Sequence, residues 1–346
     1  MRFSILIPVY NVRKYIEECL DSVMGQDYAD FEVIIVDDGS TDGSGEICDR
    51  YQRNHPEQIR VIHKKNQGLI SARRIGIANA RGEFCVFVDS DDMIEFNLLS
   101  EVARSMDDND NPDIIMYSFR YLRDGKPAEQ YPHRFADGEA WSGEQKKELY
   151  TSLLSGPSID ALWIKAIRTS VLKADPIPYE NYYSLNMSED TLQSLYPLTA
   201  AKKVVFIDVP LYLYRIIDTS ISHDFSVKSI EKKNTNHVYR TILEYLPIWE
   251  LDDEDTRSKL KARWFHEAMY TFCRYYEFAS DKRTKEKILE FDWDTMIPFE
   301  VRQNRYFSKV YLKIYSSMKS KHKRYIKFYF LRKKIKKTWR ALKSSK

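Results

Sequence analysis

The chain has 346 residues, 43% hydrophobic and 30% charged, which describes a globular protein of about two domains and excludes a disordered, collagen-like or disulfide-stapled one. No apolar run approaches the roughly 20 residues that span a bilayer, and the N-terminus lacks a small-residue cleavage site, so neither a membrane-spanning protein nor a signal peptide is expected. The net charge of +3 is uneven: residues 301–346 hold 17 Lys and Arg and no acid, leaving −14 on the rest, and such a tail suits a polyanionic surface.

In chain order, Phe3–Val9 reads as a buried strand, and Tyr15, Cys19 and Val23 fall on one face of a helix. Phe31–Val36 is a second strand. Asp37-Asp38-Gly39-Ser40-Thr41-Asp42 is turn and N-cap chemistry ahead of a helix through Tyr51. Ile59–Ile62 is a third strand, Gly68 opens an Ala-rich helix to Ala80, and Phe84–Val88 is a fourth strand. This βαβα order predicts a mostly parallel sheet with helices on both faces. Further on, the pattern predicts a helix over 97–106, a strand over 114–121, a turn at Asp124-Gly125 and a helix over 143–154. Val204–Ile207 and Leu211–Tyr214 read as a strand pair across Pro210, and helices follow beyond Ser222. Cys19, Cys48, Cys85 and Cys273 are too far apart for a zinc ribbon or redox pair and are expected as packed, reduced thiols.

Ligands of an open α/β sheet bind beyond the carboxyl ends of its strands. Pro8-Val9-Tyr10-Asn11, Val36-Asp37-Asp38-Gly39-Ser40 and Val88-Asp89-Ser90-Asp91-Asp92 all lie there, and together they bring five carboxylates to one rim. Carboxylates so close repel one another unless a cation intervenes. Hard oxygen ligands suit Mg²⁺ or Mn²⁺, and such a cation would hold a diphosphate. Neither a Walker A loop nor G-x-G-x-x-G is present, so basic groups such as Arg73 are expected to meet the diphosphate as well.

The clusters Ser4–Asn11, Val36–Asp42, Gly68-Leu69-Ile70-Ser71-Ala72-Arg73 and Phe87–Asp92 resemble, in order and spacing, those of the family 2 glycosyltransferases. The resemblance is good over residues 1 to about 110 and traceable to about 222. It implies a GT-A fold, a nucleotide-sugar donor, here read as a UDP-sugar, a divalent metal and inversion at the anomeric carbon. On it, Asp38 matches the acid that accepts from uracil N3–H, and Pro8, Val9 and Tyr10 line the nucleoside. Arg73 and Ser90 join the donor site. Asp91 matches the direct metal ligand, and Asp89 the second metal-site acid, facing the ribose or sugar. Asp92 is expected to cap the next helix.

An inverting transfer needs one carboxylate to take the acceptor's proton. Glu189-Asp190, which opens a helix in this reading, resembles the family's ED segment, with Asp190 as base and Glu189 its neighbour; a helix N-terminus favours an anion there. Ala161-Leu162-Trp163-Ile164-Lys165 resembles the stretch under the acceptor, where Trp163 either stacks on a sugar or packs in the core. Tyr214-Arg215 with Ser220-Ile221-Ser222-His223 resembles a segment of bacterial polysaccharide transferases.

The resulting organisation is a GT-A domain over 1–222 (a nucleotide-sugar half, 1–110, and an acceptor half, 111–222), a helical region over 223–300 and a tail over 301–346. Phe307, Tyr311, Ile314, Met318 and Tyr325, Phe328, Leu331, Ile335, Trp339, Leu342 step by three or four and form two apolar helical faces among the basic residues. That is an interfacial-helix pattern, with packing on protein as its alternative. The expected protein is an inverting hexosyltransferase at the cytosolic membrane face, acting on a glycan or lipid-linked glycan acceptor in surface polysaccharide synthesis. No nucleic-acid partner is expected; a homo-oligomer is compatible. A nucleotidyltransferase would carry a Gly-rich signature with Lys, which Pro8–Asn11 is not. A non-catalytic scaffold of the same fold is the other alternative, and intact Asp38, Asp89, Asp91 and Asp190 argue against it.

Overall fold

The computed structural model describes residues 1–123, 125–132, 135–155, 159–185, 187–216, 227–230, 235–279, 281–297, 299, 301, 306–319 and 326. The chain divides into two compact units: Met1–Ser222 with Glu244–Glu250, and His223–Leu243 with Leu251–Lys346.

The first unit opens with β1 (Phe3–Val9), α1 (Ile16–Met24), β2 (Phe31–Asp37), α2 (Ser44–Asn54), β3 (Ile59–His63), α3 (Leu69–Asn79) and β4 (Phe84–Phe87), close to the expected bounds. All seven residues of β1 are buried. Successive strand residues face opposite sides. Phe3, Ile5, Ile7 and Val9 therefore share one cluster with Ile16, Cys19, Leu20 and Val23 of α1. Leu6 points the other way, beneath Gly76 of α3. Helices thus cover both faces, as the continuous apolar strands require.

The chain continues through β5 (Met93–Ile94), α4 (Leu98–Asp108), β6 (Ile114–Arg123), β7 (Lys126–Gln130), β8 (Ala140–Ser142), α5 (Lys147–Ser155), β9 (Lys165–Arg168), α6 (Thr169–Lys173), α7 (Glu189–Ala200) and β10 (Lys203–Arg215). The sheet order is β3-β2-β1-β4-β9-β6-β10-β5, with β7 on β6 and β8 on β10. Strands β3, β2, β1 and β4 are mutually parallel. Beyond β4, β9 pairs antiparallel with both β4 and β6. The sheet is therefore mixed, parallel only in its first half and between β6 and β10. Strand β9 carried little signal: four residues, one of them Lys165, leave no period to read.

A second correction concerns Pro210. Residues 203–215 form one strand along β6, with register shifts on either side of Pro210, rather than a pair folded across it. Proline donates no ladder hydrogen bond, and a bulge accommodates it without ending the strand.

The four cysteines are free and buried, as expected. In the second unit the described elements are α8 (Val227–Ile230), the start of α9 (Asn236–Ile248), α10 (Glu254–Phe278), α11 (Lys282–Glu290) and α12 (Lys309–Lys319). Their core includes Phe265, Phe272, Ile288, Trp293 and Ile314. Phe307 stacks on Phe265 at 4.5 Å, and Tyr311 and Met318 pack against the same cluster. The first apolar face of the tail is thus protein core. The second, from Tyr325 to Leu342, lies outside the described residues, as do Ser220–His223.

Candidate active site

The carboxyl ends of β1, β2 and β4 are adjacent, because Val9 is in register with Asp37 and Leu6 with Phe87. Asp38 N donates to Val9 O at 2.8 Å, so the loop after β2 is tied to β1. Tyr10 projects from that edge with 45% of its surface exposed, while Pro8 and Val9 are buried beneath it. Asn11 adopts φ 53° and its side chain accepts from Thr41 N at 2.8 Å, which fastens the first rim loop to the second.

The buried Asp38 accepts from Gln67 N at 2.9 Å and Gly68 N at 2.8 Å, and pairs with Lys64. A carboxylate has about four acceptor positions. Three are used, which leaves one for an outside N–H. Gly68 holds this arrangement: its φ is +97°, and a Cβ there would lie 2.3 Å from Tyr183 O.

Asp37 has a different task. It accepts from Ser40 N at 3.0 Å and pairs with His63 Nδ1 at 2.9 Å, while His63 Nε2 reaches Asp49 at 2.9 Å. The hydrogen bonds to Asp37 and then Asp49 raise the His63 pKa above its ordinary value of 6.5. A raised folded-state value means that this clamp stabilises fully below the unfolded value and less as pH rises through the folded one. We expect the melting temperature of the wild type to fall relative to that of His63→Gln as pH rises above 6.5; parallel pH curves would contradict this. With 49% of the side chain exposed the effect is small.

The turn after β4 carries Asp89, Ser90, Asp91 and Asp92. Ser90 is buried within it. Asp92 does not cap α4, whose N-cap is Asn97. Its carboxylate instead accepts from Tyr212 OH at 2.8 Å and Arg215 N at 2.7 Å, and so locks the turn to β10. Arg215 adds a hydrogen bond to Asp91 O at 2.8 Å and an ion pair with Glu18 at 2.7 Å, and lies over the Tyr15 ring. Asp89 pairs with Arg73 Nη2 at 2.9 Å.

Of the five rim acids, four therefore have internal partners, which corrects the expectation of a mutually repelling cluster. Asp91 is the exception: its carboxylate makes no ion pair among the described residues, and burial and then Asp89 push its pKa up to about 6. A hard anionic oxygen that makes no direct ion pair fits a divalent ion. Among the described residues no group of three or more His, Cys, Asp or Glu surrounds it. A Mg²⁺-type site needs only one or two carboxylates together with substrate phosphates.

Arg73 departs from expectation. It lies on α3 with 1% exposure and donates through Nη2 to Asp89 and through Nη1 to Asp190. Both terminal nitrogens are bound by carboxylates, so it faces the two acids rather than an open rim. Asp190 stands in the first turn of α7, after Ser188 at φ 59°. The Glu189 carboxyl beside it is pushed up to about 7, by burial and then by Asp190.

Lys165 and Trp163 lie deeper. Lys165 is fully buried, donates to Ala161 O, and is pulled down to about 8 by burial. Trp163 is 9% exposed, stacked on Tyr212 at 4.6 Å and Tyr214 at 5.3 Å. It takes the packing alternative and supports β10 beneath the rim. Lys64, Tyr212 and Arg215 were not singled out as site residues. Each acts through a partner distant in the chain, and no local spacing marks that.

A parallel βαβ half with acids at its strand ends, joined to a mixed half that brings a second acid pair to the same rim, defines the GT-A class of nucleotide-sugar folds. Residues 4–174 match the model of the glycosyl transferase family 2, and the chain carries a family 2 glycosyltransferase domain. EpsH of Bacillus subtilis (strain 168) is 32% identical over 228 residues, 66% of this chain and 64% of EpsH. The chain thus spans less than two thirds of that relative. TarS of Staphylococcus aureus (strain Mu50 / ATCC 700699), a poly(ribitol-phosphate) beta-N-acetylglucosaminyltransferase, is 28% identical over 218 residues, 62% of this chain and 35% of TarS. The crystal structure of S. aureus TarS 1–349 in complex with UDP-GlcNAc superposes with a TM-score of 0.62 at 22% identity, over 86% of this chain and 82% of that one. The mannosyltransferase PcManGT from Pyrobaculum calidifontis, in complex with GDP-Man and Mn²⁺, superposes at 0.50 with 15% identity, over 86% and 83%. No helix among the described residues is long and apolar enough to cross a membrane.

Proposed function

We propose that the protein is an inverting glycosyltransferase that moves a hexose or N-acetylhexosamine from a UDP-sugar to a sugar hydroxyl of a surface-polysaccharide acceptor. The observation that carries this reading is the pairing of Asp89 and Asp190 on one buried guanidinium, which sets a carboxylate from the acceptor half beside the donor rim. In this reading Asp38 accepts from the imide N–H of the uracil through its remaining acceptor position, with Tyr10 over the nucleoside. Asp91, with Asp89 nearby, would hold Mn²⁺ or Mg²⁺. The bound ion would neutralise charge developing on the diphosphate.

The acceptor oxygen attacks C1 of the donor sugar as the bond from C1 to the diphosphate oxygen breaks. UDP leaves with that electron pair, and the acceptor's proton passes to Asp190. Attack opposite the leaving group inverts the anomeric centre. Glu189 adjoins Asp190 in the first turn of α7. The 17 basic residues of 301–346 would hold the enzyme at an anionic cytosolic membrane surface, beside a lipid-linked acceptor.

An assay of nucleoside-diphosphate release over UDP-, GDP- and dTDP-sugars, with Mn²⁺ or EDTA, on wild type and Asp91→Ala tests this. One UDP-sugar is expected to give metal-dependent release that Asp91→Ala loses. Release from none of them, with or without metal, would overturn it.

A further inference from the structure

We propose that Arg73 is a positioning residue that sets the distance and orientation of Asp190 relative to the donor, acting as a single rigid spacer between the donor-side acid and the base. The inference rests on Asp190 being the base, as proposed above, and goes beyond it by assigning the group that holds it.

Arg73 projects from α3 and is 1% exposed. Its Nη2 bonds Asp89, from the turn after β4, at 2.9 Å, and its Nη1 bonds Asp190, from α7. Its Nε is buried and finds no hydrogen-bond partner among the described residues, so the two carboxylates are the anchors of the guanidinium. A guanidinium is planar with donors in a fixed fork. Two acids bonded to its two ends are therefore held at a separation that no rotamer change of Arg73 can alter by much.

The mounting is also firm. The next residue, Arg74, lies over the Tyr179 ring at 4.7 Å and donates to Leu172 O at 3.3 Å, which ties α3 to the segment leading into the base loop. Gly68, one residue before α3, abuts Tyr183 O. Asp190 opens α7, and among the described residues Arg73 is its ion-pair partner. Lys165 acts on it only from a buried position engaged by Ala161 O.

A lysine at position 73 would keep the charge and lose the fork. The test measures UDP release from UDP-N-acetylglucosamine and from the best donor of the panel, and UDP–Mn²⁺ binding by calorimetry, on Arg73→Lys, Asp190→Asn and the double variant. We expect kcat of Arg73→Lys to fall by about 100-fold, the scale of an ångström-sized misplacement. UDP affinity should stay within about threefold, and the double variant should be no slower than Asp190→Asn alone, because residues acting as one unit are not additive. Loss of UDP affinity in step with kcat, or losses that multiply in the double variant, would overturn the proposal.

Should Arg73→Lys fail to fold, Asp190→Glu carries the test, since it alters only a partly exposed side chain. A base located by a fixed fork loses most of its activity on gaining a methylene, whereas retention of wild-type kcat would refute the spacer role. Full activity of Asp190→Asn would remove the base reading and the inference together. An inactive Asp190→Asn beside a fully active Arg73→Lys would sink only the inference.

Discussion

Asp190→Asn is expected to bind UDP with Mn²⁺ like the wild type and to transfer sugar some 10²- to 10⁴-fold more slowly, the usual worth of a positioned general base. The amide is close to isosteric with the carboxylate. Its oxygen can still accept from Arg73 Nη1, so the link between the two halves of the site survives. What disappears is the capacity to take a proton from the attacking hydroxyl. The nucleoside site proposed around Tyr10 and Asp38 draws on β1, β2 and the loop before α3, none of which includes residue 190. Binding and chemistry should therefore separate cleanly. Steady-state transfer and calorimetric UDP titration on the same preparation decide it. A variant that loses UDP binding and turnover together would mean that Asp190 supports the fold of the site rather than the chemistry.

Gly68→Ala should have the largest effect on donor binding. The native φ of +97° is strained for an alanine, and the added Cβ would stand 2.3 Å from Tyr183 O, a backbone atom with little freedom to retreat. Backbone strain alone costs about 1–3 kcal/mol, and the steric overlap adds to it. Relief comes by moving residues 64–68. That movement withdraws the Gln67 and Gly68 N–H groups from Asp38 and turns its free acceptor position away from the base. We expect UDP affinity to drop about 30- to 100-fold, or ~2–3 kcal/mol, with a lower melting temperature. Unchanged UDP affinity would show that this loop does not set the nucleoside contact.

The donor half was readable from sequence because its signals are local. Apolar strands of four to seven residues, punctuated by Gly, Asp and Ser, announce a parallel sheet, and the ligand rim of such a sheet lies at the strand ends whatever covers it. The acceptor half was readable in outline only. Strand β9 is too short to show a period, and it decides the geometry: its antiparallel pairing between β4 and β6 carries the sheet past the donor half. Proline usually ends a ladder, which divides the strand around Pro210 in two when read from sequence, whereas bulges in β10 absorb it here.

Sequence alone determined which residue types stand at the rim: Asp38, Asp89, Asp91 and Asp190 occupy the ends of elements whose order follows from their apolar patterns and turn residues. It did not determine what each acid does, because an acid's behaviour is set by what lies within a few ångströms, and those neighbours come from anywhere in the chain. Tertiary structure divides the acids. Asp37 clamps His63, Asp92 locks β10, and Asp38 is held with one acceptor position open. The Asp91 carboxylate makes no ion pair among the described residues. Arg73, which sequence placed toward the diphosphate, turns inward because α3 packs beneath the rim, and a buried guanidinium must find carboxylates. The partners it finds, 16 and 117 residues away, are brought together only by the closing of the sheet.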